Sequence, residues 1–125
     1  MIRTAIVAIG VALIFSLPAK AQRVDERRGQ RLYLQCQACH SMRPGEPHKI
    51  GPNLAGIVEA PAASRPGYVY SRALKASGLR WDQVTLDRWL TSPAKTVPGN
   101  KMIYPGMKSA ADRAALIAYL RRASR

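Results

Sequence analysis

Apolar residues recur at helical spacing in several parts of the chain, and no window alternates cleanly enough to predict a strand. The pattern predicts helices over four segments: Val24 to Gln35, Tyr68 to Ala76, Asp82 to Leu90, and a C-terminal segment after Ser109. The third segment is predicted to bury one face formed by Val84, Leu86, Trp89 and Leu90. The last carries an apolar stripe, Leu116, Ile117 and Leu120, and it begins with a capping-box spacing, Ser109 to Asp112.

Two segments rich in proline and glycine separate these helices and are predicted to be loops. They run from Met42 to Pro66 and from Thr91 to Met107, and Pro93 is expected to stop the helix before it. Loops of this length are uncommon in a compact domain unless they wrap something. The pattern therefore predicts an all-α domain in which helices and long loops enclose a further component.

The first 21 residues have the pattern of a secretory signal peptide. Arg3 supplies a positive start, residues 5–17 are uncharged and mostly apolar, and Ala19-Lys20-Ala21 offers small residues where a signal peptidase cleaves. The alternative is a retained membrane anchor, but the uncharged run, residues 4–19, would span only about 24 Å as a helix. A bilayer core is roughly 30 Å thick. We therefore predict a cleaved leader at residues 1–21 and one exported domain at residues 22–125, without stable membrane insertion.

The composition is strongly basic, with 20 Lys and Arg against 7 Asp and Glu among 125 residues and a formal net charge of +13. Removal of residues 1–21 would leave +11 on 104 residues. From Pro93 onward seven basic residues stand against one acid, Asp112. Such a surface favours an acidic protein, anionic lipid or nucleic acid as partner. The export signal and the lack of any nucleic-acid motif disfavour the last of these.

The chemistry of the chain is concentrated at Cys36-Gln-Ala-Cys39-His40, which has the C-x-x-C-H spacing of a haem-attachment site. Two thiols at i and i+3 on a helical turn lie on one side and can add to the two vinyl groups of a porphyrin. The adjacent histidine can then supply a nitrogen to the iron. Three alternatives are weaker: a thioredoxin-like dithiol lacks its βαβ unit, a zinc site would need His48 at an unfamiliar spacing, and a plain disulfide is possible in an exported protein. The leader, both cysteines and the histidine after them all agree with haem.

These residues and those that follow resemble a class I cytochrome c of the mitochondrial and bacterial c2-like kind. The resemblance covers residues 29–123 in order and at near-identical spacings. Its remaining motifs are His48-Lys-Ile-Gly51-Pro52-Asn53-Leu54, Pro66-Gly67-Tyr68-Val-Tyr70-Ser71, Trp81, Trp89-Leu90, Pro98-Gly99-Asn-Lys101-Met102 and Asp112 to Leu120. It implies a small cytochrome c fold, with three main helices plus short helices and long loops around one covalent haem, attached through Cys36 and Cys39.

The resemblance implies that His40 and Met102 are the two protein ligands of the iron. Met42 follows His40 too closely to reach the other side of the ring, whereas Met107 and His48 remain candidates from spacing alone. In the family, the histidine at the position of His48 is a structural loop residue that bonds to the backbone. A thioether ligand would raise the reduction potential, since it favours the ferrous state.

Further roles follow from the same resemblance. Pro52 matches the proline whose carbonyl oxygen accepts the ring N–H of the proximal histidine. Tyr70 and Trp81 match donors to a buried haem propionate. Leu32, Leu54, Leu90, Leu116 and Leu120 are expected to face the haem or pack the core.

Four positions depart from the family pattern, namely Ala60, Leu74, Trp89 and Asn100. Ala60 stands where an arginine near the propionates is usual, although Arg65 lies close enough in sequence to substitute for it. These departures leave the propionate surroundings and the reduction potential undetermined. The ligand assignment does not depend on them.

The resemblance implies a soluble, monomeric, periplasmic one-electron carrier rather than an enzyme, since a fully ligated iron offers no open position. Its partners would be redox proteins with acidic docking faces, such as an oxidase, a bc1-type complex or a periplasmic dehydrogenase. The alternative is a haem enzyme of peroxidase type in which Met102 is labile. Such an enzyme would need a ligand-accessible ferric iron.

Overall fold

The computed structural model describes the backbone of residues 19–125 and the side chains of residues 25–125. Five helices are present in this part of the chain: α1 (Ala19–Gln37), α2 (Arg72–Ala76), α3 (Gln83–Thr91), α4 (Pro93–Thr96) and α5 (Ala110–Ala123). It contains no strand, only an isolated antiparallel bridge between Pro61 and Arg80. The all-α prediction is confirmed. The predicted leader lies outside the described residues except for the backbone of its last three, so it stays a prediction.

None of the helices within residues 19–125 combines the length and the apolar character needed to cross a bilayer.

The helix boundaries follow from side chains that accept the free backbone N–H groups of the first turn. Ser71 accepts from the Leu74 N–H at 3.0 Å, so α2 starts later than the predicted Tyr68. Asp82 accepts from the Thr85 N–H at 2.7 Å at the start of α3. Ser109 accepts from the Asp112 N–H at 3.2 Å, which confirms the predicted start of α5.

The helix α4 was not predicted, because Pro93 was expected only to stop α3. Proline lacks an N–H group and has a helical φ, so it suits the first position of a new helix as well as it ends an old one. Ser92 separates the two helices in extended conformation, and its side chain accepts from the Lys95 N–H at 3.3 Å. The predicted loop from Thr91 to Met107 is therefore wrong at its start. The remainder of that segment is loop.

Helices α1 and α5 pack against each other at Gly29. A Cβ atom at this position would lie 2.6 Å from the Tyr119 Cβ and would also meet the carbonyl oxygen of Ala115. Only glycine permits so close an approach of the two backbones. The Arg28 Nε–Asp112 Oδ1 pair at 2.5 Å and the tilted Tyr33–Tyr119 contact flank the crossing.

The core lies between α3, α5 and the loops that join them. Leu116 and Ile117 of α5 are fully buried, as the apolar stripe predicted. On α3, Leu86, Trp89 and Leu90 are buried, but Val84 is 66% exposed. The prediction for Val84 is wrong because the fourth buried position of this helix is Thr85.

Candidate cofactor site

An apolar cavity of about 400 Å³ occupies the space that the helices and loops enclose. Its wall is built from the end of α1 and the loop after it, from α3 and α5, and from the loop between α4 and α5. Apolar residues that line it include Leu54, Ile57, Leu74, Leu86, Leu90, Leu116 and Leu120. Leu32 does not line the cavity but packs against the core as a half-buried side chain. A largely apolar molecule is therefore the type of ligand that this wall suits.

Cys36, Cys39 and His40 line the cavity together because the chain turns tightly at the end of α1. The backbone N–H groups of Cys39 and His40 both donate to the Cys36 carbonyl oxygen, at 3.0 and 2.9 Å. The two cysteines form no disulfide with each other. Burial, with a smaller contribution from the neighbouring Cys39, raises the pKa of the Cys36 thiol to about 11. The turn thus presents two cysteine side chains and an imidazole at one part of the wall.

The His40 ring is held in one orientation by Pro52 and Gly51. Its Nδ1 lies 2.7 Å from the Pro52 carbonyl oxygen, which can only accept, so Nδ1 carries the proton and donates. The Nε2 lone pair is then free to bind a metal. Burial, aided by the charge of Lys49, lowers the pKa of His40 despite the bond to Pro52, which favours this neutral form. A Cβ on Gly51 would lie 2.7 Å from the His40 Nδ1 and 2.9 Å from its Nε2, so only glycine fits beside the ring.

Met102 lines the same cavity from the loop between α4 and α5. The other predicted candidates for its role lie elsewhere. Met107 is buried in the core, and its N–H donates to the Leu90 carbonyl at 2.7 Å. Met42 packs against the core without lining the cavity.

His48 has both ring nitrogens engaged, which leaves neither for a metal. Its Nδ1 accepts from the Asn53 N–H at 2.9 Å, so Nε2 carries the proton and donates to the Pro66 carbonyl at 2.8 Å. No group of three His, Cys, Asp or Glu side chains placed to hold a metal ion exists in the described part of the chain. The ring thus bonds to the backbone at two points of the segment between α1 and α2, as the resemblance implied.

Tyr70 and Trp81, the predicted propionate donors, both line the cavity. The Tyr70 hydroxyl oxygen accepts from the Arg65 N–H at 3.2 Å, so the hydroxyl proton is free for another acceptor. Trp81 is buried and meets Trp89 edge to face, with the ring centroids 5.0 Å apart. Trp89 is one of the four positions that depart from the family pattern, and its ring is accommodated by aromatic packing against Trp81.

Arg65 does not take the place of the arginine that is usual in the family at the position of Ala60. Its side chain does not line the cavity and lies instead in a second cleft, with Glu46, Gly56 and Arg125. The expectation from sequence proximity is wrong because side-chain direction, not distance along the chain, decides which cleft an arginine enters.

Sequence reasoning missed several residues at the cavity. Ile50 and Ile103 line its rim and are 81% and 102% exposed. Tyr104 also lines it, and its hydroxyl donates to the Gln35 side chain at 3.3 Å, which joins the Met102 loop to α1. Adjacency to Gly51 or to Met102 was the one available signal, because loop residues have no periodicity to reveal them.

A helical domain that brings two thiols of a C-x-x-C-H turn, an oriented imidazole and a thioether to one apolar cavity is a c-type haem protein. The sequence profile of the family described as Cytochrome c matches residues 26–124. The chain belongs to the cytochrome c family. It is therefore a monohaem electron carrier, with haem c attached covalently through Cys36 and Cys39.

Relatives with known names support this assignment along most of the chain. The chain is 43% identical to cytochrome c2 of Rhodomicrobium vannielii over 115 residues, which are 92% of this chain and 91% of that protein. It is 39% identical to cytochrome c of Chlamydomonas reinhardtii over 107 residues, 85% of this chain and 96% of that protein. The solved structure of cytochrome cH from Methylobacterium extorquens matches with a TM-score of 0.73 at 43% identity, covering 78% of this chain and 97% of that one.

Proposed function

We propose that this protein carries single electrons in the periplasm, with His40 and Met102 as the two protein ligands of its haem iron. The observation that supports this most strongly is the His40 ring, whose protonated Nδ1 is bound to Pro52 while Nε2 is left for a metal. Met102 is the one methionine among those weighed as ligands that reaches the same cavity. The iron of a bound haem exchanges one electron between its ferrous and ferric states.

The residues of the chain would favour electron exchange over catalysis. With an imidazole and a thioether both bound, no coordination position is left for oxygen, peroxide or a substrate. The leucines and tryptophans of the wall exclude water, which disfavours the more highly charged ferric state and so raises the potential. The hydrogen bond to Pro52 would hold the imidazole in one orientation, and this would limit structural change during electron transfer.

The rim of the cavity offers a surface for brief encounters with redox partners. We define the rim patch as Lys49, Ile50, Lys101 and Ile103, all of which are exposed. The Lys49 ammonium donates to the Gln37 carbonyl at 2.7 Å and that of Lys101 to the Val69 carbonyl at 3.0 Å, so both positive charges are held in place. Two exposed isoleucines, each near an exposed lysine in the sequence, suit an acidic partner with a small apolar contact.

Not every basic residue of the C-terminal third contributes to that surface. Arg113 is buried, and its guanidinium pairs with Asp87 at 2.7 Å and donates to the carbonyls of Met107 and Lys108 at 2.8 Å each. It therefore stabilises the fold. Steering of an acidic oxidase, bc1-type complex or periplasmic dehydrogenase would rest on the exposed lysines instead.

The ligand assignment is tested with holoprotein matured by a periplasmic haem-attachment machinery. We expect a covalent haemochrome and a low-spin ferric spectrum with a Met–iron charge-transfer band. Met102→Ala should keep the covalent haem, lose that band and bind exogenous ligands. Met42→Ala, which removes a methionine outside the cavity, should keep the band. A high-spin ferric spectrum in the unaltered protein would favour the peroxidase-type alternative, and an unchanged band in Met102→Ala would move the ligand role to another residue.

The partner assignment is tested by the rate at which a periplasmic fraction of the source organism reduces the oxidised holoprotein. If an acidic partner is steered to the rim patch, this rate should fall as salt rises, because the Debye length shortens to about 3 Å at 1 M. A rate independent of salt would contradict the steering. Identification of the reducing protein in that fraction would then name the partner directly.

A further inference from the structure

The side-chain amide of Asn100, two residues before Met102, forms hydrogen bonds with backbone groups on both sides of it in the sequence. Its Nδ2 donates to the carbonyl oxygens of Pro93 and Val97, both at 2.9 Å. Its Oδ1 accepts from the Met102 N–H at 2.8 Å. One amide thus ties the end of α4 to the backbone of the residue that carries the thioether.

This arrangement determines which way the amide faces. Both donors of the NH₂ group meet carbonyl oxygens, which only accept, and the carbonyl oxygen meets an N–H, which only donates. A rotation of the amide by 180° would place oxygen against two carbonyls and NH₂ against N–H. Three bonds would be lost together, so the side chain has one stable orientation.

The α4 end of this connection is itself well anchored. Val97 is buried, its N–H donates to the Pro93 carbonyl at 3.0 Å, and Pro93 is among the fully buried side chains. The Asn100 N–H adds a bond to the Val97 carbonyl at 3.1 Å. The segment on which Met102 stands is therefore fixed to the core through Asn100. Within the described residues, the Met102 N–H group makes no other hydrogen bond.

We propose that Asn100 is the positioning residue of the axial methionine: its side-chain amide holds the Met102 backbone at the cavity and so keeps the thioether in place against competing ligands. The inference rests on the axial role proposed above for Met102. It assigns a function to a position where this chain departs from the family pattern. The amide acts through Met102 and is not itself a ligand.

Asn53 provides a matched control, since it makes the same set of bonds elsewhere. Its Nδ2 donates to the carbonyls of Arg43 and Glu46 at 2.8 and 2.9 Å, and its Oδ1 accepts from the Ala55 N–H, also two residues ahead, at 2.7 Å. None of these partners belongs to the Met102 loop. Removal of the Asn53 side chain should therefore weaken the fold by a comparable number of bonds without loosening Met102.

The test compares Asn100→Ala and Asn100→Ser with Asn53→Ala in the ferric holoprotein. The measurement is the affinity for imidazole, which replaces the methionine and abolishes the Met–iron charge-transfer band. We expect Asn100→Ala to bind imidazole about tenfold more tightly than the unaltered protein, which corresponds to about 1.4 kcal/mol. The hydroxyl of Asn100→Ser can still accept from the Met102 N–H, so the imidazole affinity of this variant should lie between those of Asn100→Ala and the unaltered protein. Asn53→Ala should unfold at lower urea concentration and keep the original imidazole affinity within about twofold.

Three outcomes would overturn the inference. Unchanged imidazole affinity in both Asn100 variants, with the band intact in the unaltered protein, would overturn the role of Asn100 and leave the Met102 assignment standing. An equal rise in Asn53→Ala would show general loosening rather than positioning. Absence of the band from the unaltered protein would overturn both the inference and the axial assignment. If Asn100→Ala fails to fold, Asn100→Ser supplies the comparison.

Discussion

The contact between Gly51 and the His40 ring leads to a specific prediction for Gly51→Ala. Gly51 is buried and its φ lies outside the left-handed region, so alanine carries no conformational penalty there. The new Cβ would instead lie 2.7 Å from the His40 Nδ1 and 2.9 Å from its Nε2. Either the ring or the loop must move, and both movements stretch the 2.7 Å bond from Nδ1 to Pro52.

The expected loss of stability follows from the overpacking by the new Cβ and from the stretched hydrogen bond. Overpacking a well-packed site costs about 1–3 kcal/mol, and weakening a hydrogen bond to a buried carbonyl adds about 1 kcal/mol. We expect the free energy of unfolding to fall by about 3 kcal/mol. With a urea slope of about 1.5 kcal/mol/M for a domain of this size, the unfolding midpoint should fall by about 2 M. The reduction potential should rise, because an imidazole with a weaker Nδ1 bond is a poorer electron donor to the iron.

Urea unfolding of the holoprotein, followed by far-ultraviolet circular dichroism, measures the loss of stability. Redox titration measures the change in reduction potential. Gly45→Ala is the control: its Cβ would meet nothing within 4 Å, but its φ of +81° is unfavourable for alanine. That variant should lose about 1 kcal/mol from backbone strain and keep the original potential. Equal stability losses and unchanged potentials in the two variants would refute the packing of Gly51 against the His40 ring.

Three further predictions concern α3, the buried arginine and the rim. The hydrogen bond from the Thr85 N–H lowers the pKa of Asp82. The stability that the ionised carboxylate contributes is therefore present above pH 3.8 and is lost as pH falls through the lowered pKa. Asp82→Asn should remove this pH dependence of the melting temperature but keep the helix cap. Arg113→Met should lower the free energy of urea unfolding by about 2 kcal/mol, because two carbonyls lose their donor, whereas Asp87→Asn should cost less. Ile103→Ser should slow reduction by the partner about fivefold, without a change in its salt dependence, if the isoleucine is buried on docking; a changed salt slope would contradict this.

Local features of the chain could be predicted from the sequence because their causes are local. The C-x-x-C-H turn needs only the geometry of one helical turn, and Ser109 defines the start of α5 through one bond, accepted from the Asp112 N–H three residues ahead. The stripe on α5 follows from the period of the helix. Pro93 shows the limit of local reasoning, since proline both ends a helix and begins one, and only the position of Ser92 distinguishes the two.

Contacts between distant segments depended on the family resemblance or were missed. Pro52, Tyr70 and Trp81 were assigned through matching motifs, and all three line the cavity. Arg65 was expected near the cavity and lies in another cleft. The bond of Tyr104 to Gln35 joins residues 69 positions apart, and no short pattern encodes such a pairing.

The sequence by itself determined the class of the fold, the attachment spacing, the place of His40 next to the attachment cysteines and the basic character of the chain, because each depends on neighbouring residues or on composition. The tertiary structure decided which side chains share the cavity, that Gly51 and Pro52 orient His40, that Arg113 is buried while the rim lysines are exposed, and that Asn100 bonds to both α4 and Met102. The physical reason is that hydrogen bonds and packing depend on distances across the fold, and these are set only when the loops close around the core.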